Sequence, residues 1–155
     1  KSTLLSIIAG FTTPTQGTLS YFSDDQQLIS SDEIFRYLTV ASPYGAIIGE
    51  LTLEEHLRFH CKFKPLQKQI TEEDFFSISQ LQDYRVMPVS HLSSGLLQRF
   101  KLALTFLNSS PVVLVDEPTS YLDTKSKSWF EELFKSYSNI WRNKNLKLLK
   151  KMALF

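Results

Sequence analysis

The chain lacks most of the features that would assign it to a disulfide-stapled, membrane-spanning or nucleic-acid-binding class. Its single cysteine, Cys61, has no intrachain partner, so a reducing compartment is the simpler expectation. No apolar run approaches the roughly 18–20 residues that a membrane-spanning helix requires, so any role at a membrane falls to a partner subunit. The formal net charge is +1, without the strong basic excess of a dedicated nucleic-acid surface, and no nucleic-acid partner is expected. Internal repeats and low-complexity segments are absent. His56, His60 and Cys61 lie close together in sequence, but Cys61 continues the Leu53–Leu57 stripe at a spacing of four, which argues against a shared metal site.

What is present suits one globular domain. At 155 residues, 43% hydrophobic and 21% charged, the chain can bury a single core. Residues Lys1 to Gly10 have the outline of a signal peptide, with a positive start and then Leu4, Leu5, Ile7 and Ile8. Their apolar stretch sits at the lower length limit and no initiating methionine precedes it, so an N-terminally truncated domain is the preferred reading. Ser2 to Ala9 reads as a helix with Leu4, Leu5 and Ile8 on one side and Gly10 as its C-cap. Strands are expected at Thr18–Phe22 and Phe35–Ala41, and helices from Thr52 to about Tyr84 and from Leu96 to Asn108. A last helix begins near Asp123 or Thr124 and runs through Trp129, Phe130, Leu133 and Phe134. Alternation of strands and helices predicts an α/β fold with a parallel sheet.

The most informative stretch is Pro111-Val112-Val113-Leu114-Val115-Asp116-Glu117-Pro118-Thr119-Ser120-Tyr121-Leu122-Asp123. Four aliphatic residues in a row suit a strand buried on both faces, as in parallel sheets. Asp116 and Glu117 would stand at its carboxyl end, where open α/β folds bind ligands. Adjacent side chains on a strand point differently, so one acid can sit near a metal ion while the other faces a water. Some 20 residues earlier the chain reads His91-Leu92-Ser93-Ser94-Gly95-Leu96-Leu97-Gln98-Arg99.

Together these segments resemble the signature motif, Walker B motif and D-loop of the ATP-binding-cassette (ABC) ATPases, in that order and at about that family's spacing. Lys1-Ser2-Thr3-Leu4-Leu5 resembles the end of a Walker A loop, G-x-x-x-x-G-K-[ST]. The resemblance implies a P-loop NTPase-like parallel sheet core with a helical subdomain, incomplete at both ends. Residues 1–137 would form a partial ABC ATPase domain, with 52–110 as helical subdomain and signature region, and 138–155 an atypical basic tail. It implies ATP and Mg²⁺ as cofactors, with Lys1, Ser2 and Thr3 at the phosphates and Ser2 and Asp116 in the metal shell. Glu117 would be the general base or water-positioning group. Ser93, Ser94 and Gly95 would offer donors to a γ-phosphate held by another subunit, or simply cap a helix. Asp123 is similar to the D-loop aspartate, or equally a helix cap. The implied partners are a second ATP-binding subunit in a head-to-tail dimer and a membrane-spanning permease. That arrangement would place the chain in the cytoplasm at the inner face of a membrane.

The chain also departs from the family pattern. The cradling glycines would lie before Lys1, so weak ATP binding is expected of this chain. Val40-Ala41-Ser42-Pro43 stands where a Q-loop glutamine is expected, and the signature reads Leu-Ser-Ser-Gly-Leu. All three histidines (His56, His60, His91) precede Asp116, so no switch histidine follows it. After Glu132 no acid occurs, while Lys135, Arg142, Lys144, Lys147, Lys150 and Lys151 accumulate. A reading-frame change or truncation near Ser136 is one account of this tail, and a variant tail that binds an acidic surface is the other. The expected function is an ATP-hydrolysing subunit of an ABC transporter. The alternatives are a non-catalytic remnant of such a subunit and a soluble ABC ATPase outside transport.

Overall fold

The computed structural model describes residues 2–42 and 47–143, and the side chains of its last helix as far as Tyr137. The expectations for Lys1 and for residues 144–155 therefore lie outside the described residues.

Helix α1 (Ser2–Ile8) ends as Gly10 predicts. Gly10 sits at φ +77°, its N–H donates to the Ile7 carbonyl (3.0 Å), and the Phe11 N–H reaches back to Ser6 (2.9 Å). That pair of bonds is a Schellman motif, which consumes carbonyls a helix end otherwise leaves open. Leu5 and Ile8 pack inward, but Leu4 is exposed, so only part of the predicted stripe is buried.

The predicted strand at Thr18–Phe22 is shorter than expected. Only β1 (Tyr21–Phe22) is paired, antiparallel with β2 (Leu28–Ile29). The turn between them bends at Gln26, which takes φ +58° and donates its N–H to the Ser23 carbonyl. The strand expected from Phe35 is also shortened. Ile34–Arg36 forms a 3-10 turn that tucks Ile34 inward, and β3 covers Leu38–Ala41.

Strand β3 pairs in parallel with β4 (Val112–Val115), in register Leu38 to Val112 through Ala41 to Val115. On one face, Leu38 and Leu114 pack with Ala9 and Ile34, joined by Leu5 and Ile8 of α1. On the other, Ala41 and Val113 join the main core. The central element of that core is α4 (Ser94–Phe106), in which Phe100, Leu102 and Ala103 are fully buried. Covering both faces of a parallel pair explains why 112–115 reads as an uninterrupted apolar run.

The helical part consists of α2 (Leu53–Cys61) and α3 (Glu72–Ser79). Each begins with a capping box, Thr52 with Glu55 and Thr71 with Asp74, which satisfies two open N–H groups reciprocally. Phe75 and Phe76 of α3 and Leu53 and Leu57 of α2 are completely or nearly completely buried. Arg85 fastens the two helices from outside through Glu54, Glu72 and Glu73, each at 2.7 Å. Helix α5 (Thr124–Asn143) follows β4, with Trp129, Phe130 and Leu133 buried and Phe134 packed against the same core. It runs back towards the start of β4, since the Tyr137 hydroxyl donates to the Ser110 carbonyl at 3.3 Å. Among the described residues no helix is long and apolar enough to cross a membrane.

Candidate functional site

The paired acids stand where β4 stops. The ladder continues one residue beyond Val115, with the Asp116 N–H donating to the Ala41 carbonyl at 2.9 Å, and Pro118 then denies it a further donor. Asp116 is half-buried and Glu117 is exposed, so both carboxylates are reachable from solvent. Glu117 takes φ +45°, a left-handed conformation that a side chain with a β-carbon disfavours. The backbone reverses there, and Glu117 Oε2 accepts a hydrogen bond from the Ser120 hydroxyl at 3.1 Å. Tyr121 repeats the strain at φ +66° and is 61% exposed. Neither strained residue carries a local signal for a left-handed backbone, because neither is Gly, Asn or Asp.

The signature segment lies against this acid loop. Ser93 caps α4 by accepting the Leu96 N–H at 3.3 Å, which makes its bland reading true without consuming the exposed Ser94. A β-carbon on Gly95 would come within 3.2 Å of the Tyr121 carbonyl oxygen, so the missing side chain allows the two segments to touch. One turn on, Gln98 Nε2 donates to the Pro118 carbonyl at 3.2 Å. Residues 93–98 and 117–123 thus pack against each other.

Asp123 caps α5, its Oδ1 accepting the Ser126 N–H at 2.7 Å. Hydrogen bonding from Ser126, side chain first and backbone second, holds the Asp123 carboxyl below the ordinary range, and the charges of Arg99 and Lys125 add to this. Of the predicted pair of roles, the cap is therefore present.

Ser2 and Thr3 are exposed at the start of α1, on a separate element. The far end of α1 is fixed by Gly10, whose β-position lies 3.1 Å from Ile34 in the turn leading into β3. The helix therefore begins away from the amino end of the sheet. At the carboxyl end of β3, half-buried Ser42 occupies the region where a glutamine was expected, next to the Ala41 carbonyl that binds Asp116.

A serine hydroxyl and a single carboxylate are hard oxygen donors, the set that suits Mg²⁺ held partly by substrate phosphates. Among the described residues no group of three or more His, Cys, Asp or Glu side chains forms an all-protein metal cage. His56 instead packs edge-on against Phe100, with ring centroids 5.5 Å apart.

Comparison with known proteins places these features in a family. The family model described as "ABC transporter" matches residues 1–120. The spermidine/putrescine import ATP-binding protein PotA of Bacillus cereus is 32% identical over 147 residues, which is 92% of this chain but 43% of that protein. The ATP-binding cassette sub-family A member 2 of Rattus norvegicus is 29% identical over 140 residues, covering 88% of this chain and 6% of the relative. The chain thus spans less than half the length of these curated relatives. Among solved structures, the dimeric MJ0796 bacterial ABC transporter cassette superposes with a TM-score of 0.71 at 23% identity, over 90% of this chain and 65% of that one. Its post-hydrolysis form bound to ADP and Pi gives 0.69, also at 23% identity, over 87% and 63%. At that identity the likeness concerns the fold.

Proposed function

The chain belongs to the ABC transporter family of ATP-binding domains, and on that premise we propose that it binds and hydrolyses ATP as a subunit coupled to a membrane-spanning permease. One observation carries the reading: Gly95 at the start of the signature helix touches the loop that Asp116 and Glu117 enter from the end of a buried parallel strand. The signature segment and the loop that follows the paired acids are thereby in direct contact. In this reading Lys1, Ser2 and Thr3 meet the β- and γ-phosphates, and Ser2 and Asp116 hold Mg²⁺. The ion would supply charge neutralisation on the phosphates. Glu117, exposed and not buried against the core, accepts the proton of the attacking water or orients it.

Ser93, Ser94 and Gly95 would face the γ-phosphate of a second subunit in a head-to-tail dimer. The dimeric form of MJ0796 with ADP and Pi supports such a partner. A cytoplasmic position at the inner membrane face follows from that coupling. Residues 1–137 would supply the partial ATPase domain, although helix α5 runs on across that boundary to Asn143. A second reading, nucleotide binding without turnover, is favoured by Ser42 and by Ser94 and Leu96 in the signature.

The two readings separate in purified protein given millimolar Mg²⁺–ATP. Glu117→Gln should keep nucleotide binding while turnover falls by about a hundredfold or more. Binding without turnover in wild type would support the second reading, and equal measurable turnover in both proteins would remove Glu117 from the proposed role. Absence of binding in both would refute the first and second together.

A further inference from the structure

Arg99 is a buried cation, 8% exposed, in the second turn of α4. Its Nη1 donates to Gln80 Oε1 at 3.0 Å, and its Nη2 donates to Ser126 Oγ at 2.6 Å. The guanidinium lies 5.0 Å from the centroid of Trp129, and Trp129 Nε1–H in turn donates to the Ile78 carbonyl at 2.8 Å. Gln80 is the left-handed C-cap of α3, and Ser126 donates to the Asp123 carboxylate that caps α5. One side chain therefore joins the end of α3, the signature helix and the exit of the acid loop.

Stability alone is a poor account of this arrangement. A buried cation costs solvation, and Arg99 Nε has no hydrogen-bond partner. An apolar side chain of similar volume would fill the space without that cost. The planar fork instead fixes two donors at a set angle, which a lysine cannot do. The acid loop has its own internal bonds, Ser120 N–H to Glu117 O (3.1 Å) and Leu122 N–H to Thr119 O (3.2 Å). These bonds tie Glu117 to Ser120 and Thr119 to Leu122, which limits the slack between Asp123 and Glu117.

We propose that Arg99 is a positioning residue that couples the end of α3 to the Glu117–Asp123 loop, so that displacement of the helical part moves the acids. This rests on the ATP-hydrolysing function proposed above. The test compares wild type with Arg99→Met and Gln80→Leu, the second removing only the α3 end of the clamp and leaving the charge in place. Both variants should lower kcat about tenfold or more with KM within about twofold, since small misplacements of reacting groups cost rate and not binding. Arg99→Lys should not restore the rate. Loss of kcat in proportion to the unfolded fraction, or an unchanged kcat in Gln80→Leu, would overturn the proposal.

Amide hydrogen exchange of residues 117–123 reads the same coupling without turnover. Faster exchange in both variants at unchanged global stability is expected, and unaltered exchange in Gln80→Leu would overturn the clamp. If wild type hydrolyses no ATP, the ATPase reading fails while the exchange experiment still decides whether the coupling exists.

Discussion

The two ends of the β3–β4 pair are built on opposite terms. At the amino end Thr39, Asn108 and Ser110 form a closed set of buried hydrogen bonds. Asn108, fully buried, donates Nδ2 to the carbonyls of Leu104 (2.8 Å) and Thr105 (3.0 Å), so it closes the end of α4. Its Oδ1 accepts the Ser110 N–H at 2.8 Å, and Thr39 Oγ1 donates to Ser110 Oγ at 2.7 Å. Lys64 adds its ammonium to the carbonyls of Phe35 and Leu38. At the carboxyl end two residues with β-carbons, Glu117 and Tyr121, sit at positive φ, both are exposed, and Asp116 is half-buried. Satisfied bonds mark the end that holds the sheet together. Strain and exposed charge mark the end to which the proposed chemistry is assigned.

Substitutions at the two ends should therefore fail in different ways, and the largest effect belongs to Asn108. Asn108→Ala strands the Ser110 N–H and two helix-end carbonyls in the interior. Stability should fall by about 3 kcal/mol, since each buried group left unpaired costs about 1–3 kcal/mol. For a chain of this size that lowers Tm by roughly 10 °C. Turnover per folded molecule should hardly change, and a large loss of kcat without a loss of Tm would erase the division between the ends.

Gly95→Ala reverses the pattern. Alanine favours a helix over glycine by up to about 1 kcal/mol, less in the first turn, and this offsets much of the steric cost. The added carbon meets a backbone carbonyl at 3.2 Å, so the Tyr121 loop must give by a few tenths of an ångström. Tm should move by only about 3 °C, while turnover falls several-fold because the displaced loop carries Glu117. A fall in Tm with turnover intact would show that this contact is structural only.

How much of this division was legible in the sequence depends on whether the signal is local. The aliphatic run at 112–115 followed by Asp-Glu-Pro announced a buried strand and its exit, and Gly10 announced its cap. Both rest on neighbours within six residues. The hairpin of β1 and β2 went unseen because Gln26 bends it where Asn or Gly would be the usual mark. The start of β3 was misplaced because burial of Ile34 draws the preceding residues into a 3-10 turn. Contacts such as Gly95 with Tyr121, or Arg99 with Gln80 and Ser126, join segments 19 to 27 residues apart and follow from tertiary packing alone. The motifs located the acids and the signature. They carried no sign of the clamp behind them.

The smallest effect concerns acid and should fall on the amino end. His60 lies at the end of α2, four residues before Lys64, with its Nε2 buried and unpartnered. Burial first, and then the positive charges of His56 and Lys64, hold its pKa at about 4. Burial also lowers His56. An unfolded histidine titrates near 6.5. Between those values the unfolded chain takes up protons that the folded one refuses, so stability must fall as pH drops through this window and level off below it. The carboxylates lowered by their caps, Glu55 and Asp74, lose their contribution only below their ordinary values near 4, so pH 7 to 5 isolates the histidines. Urea midpoints of wild type should fall over that range, and His60→Leu should shrink the fall while leaving part of it to His56. An equal fall in both proteins would mean that His60 takes up its proton as readily folded as unfolded, and the tightness ascribed to the amino end would not extend to α2.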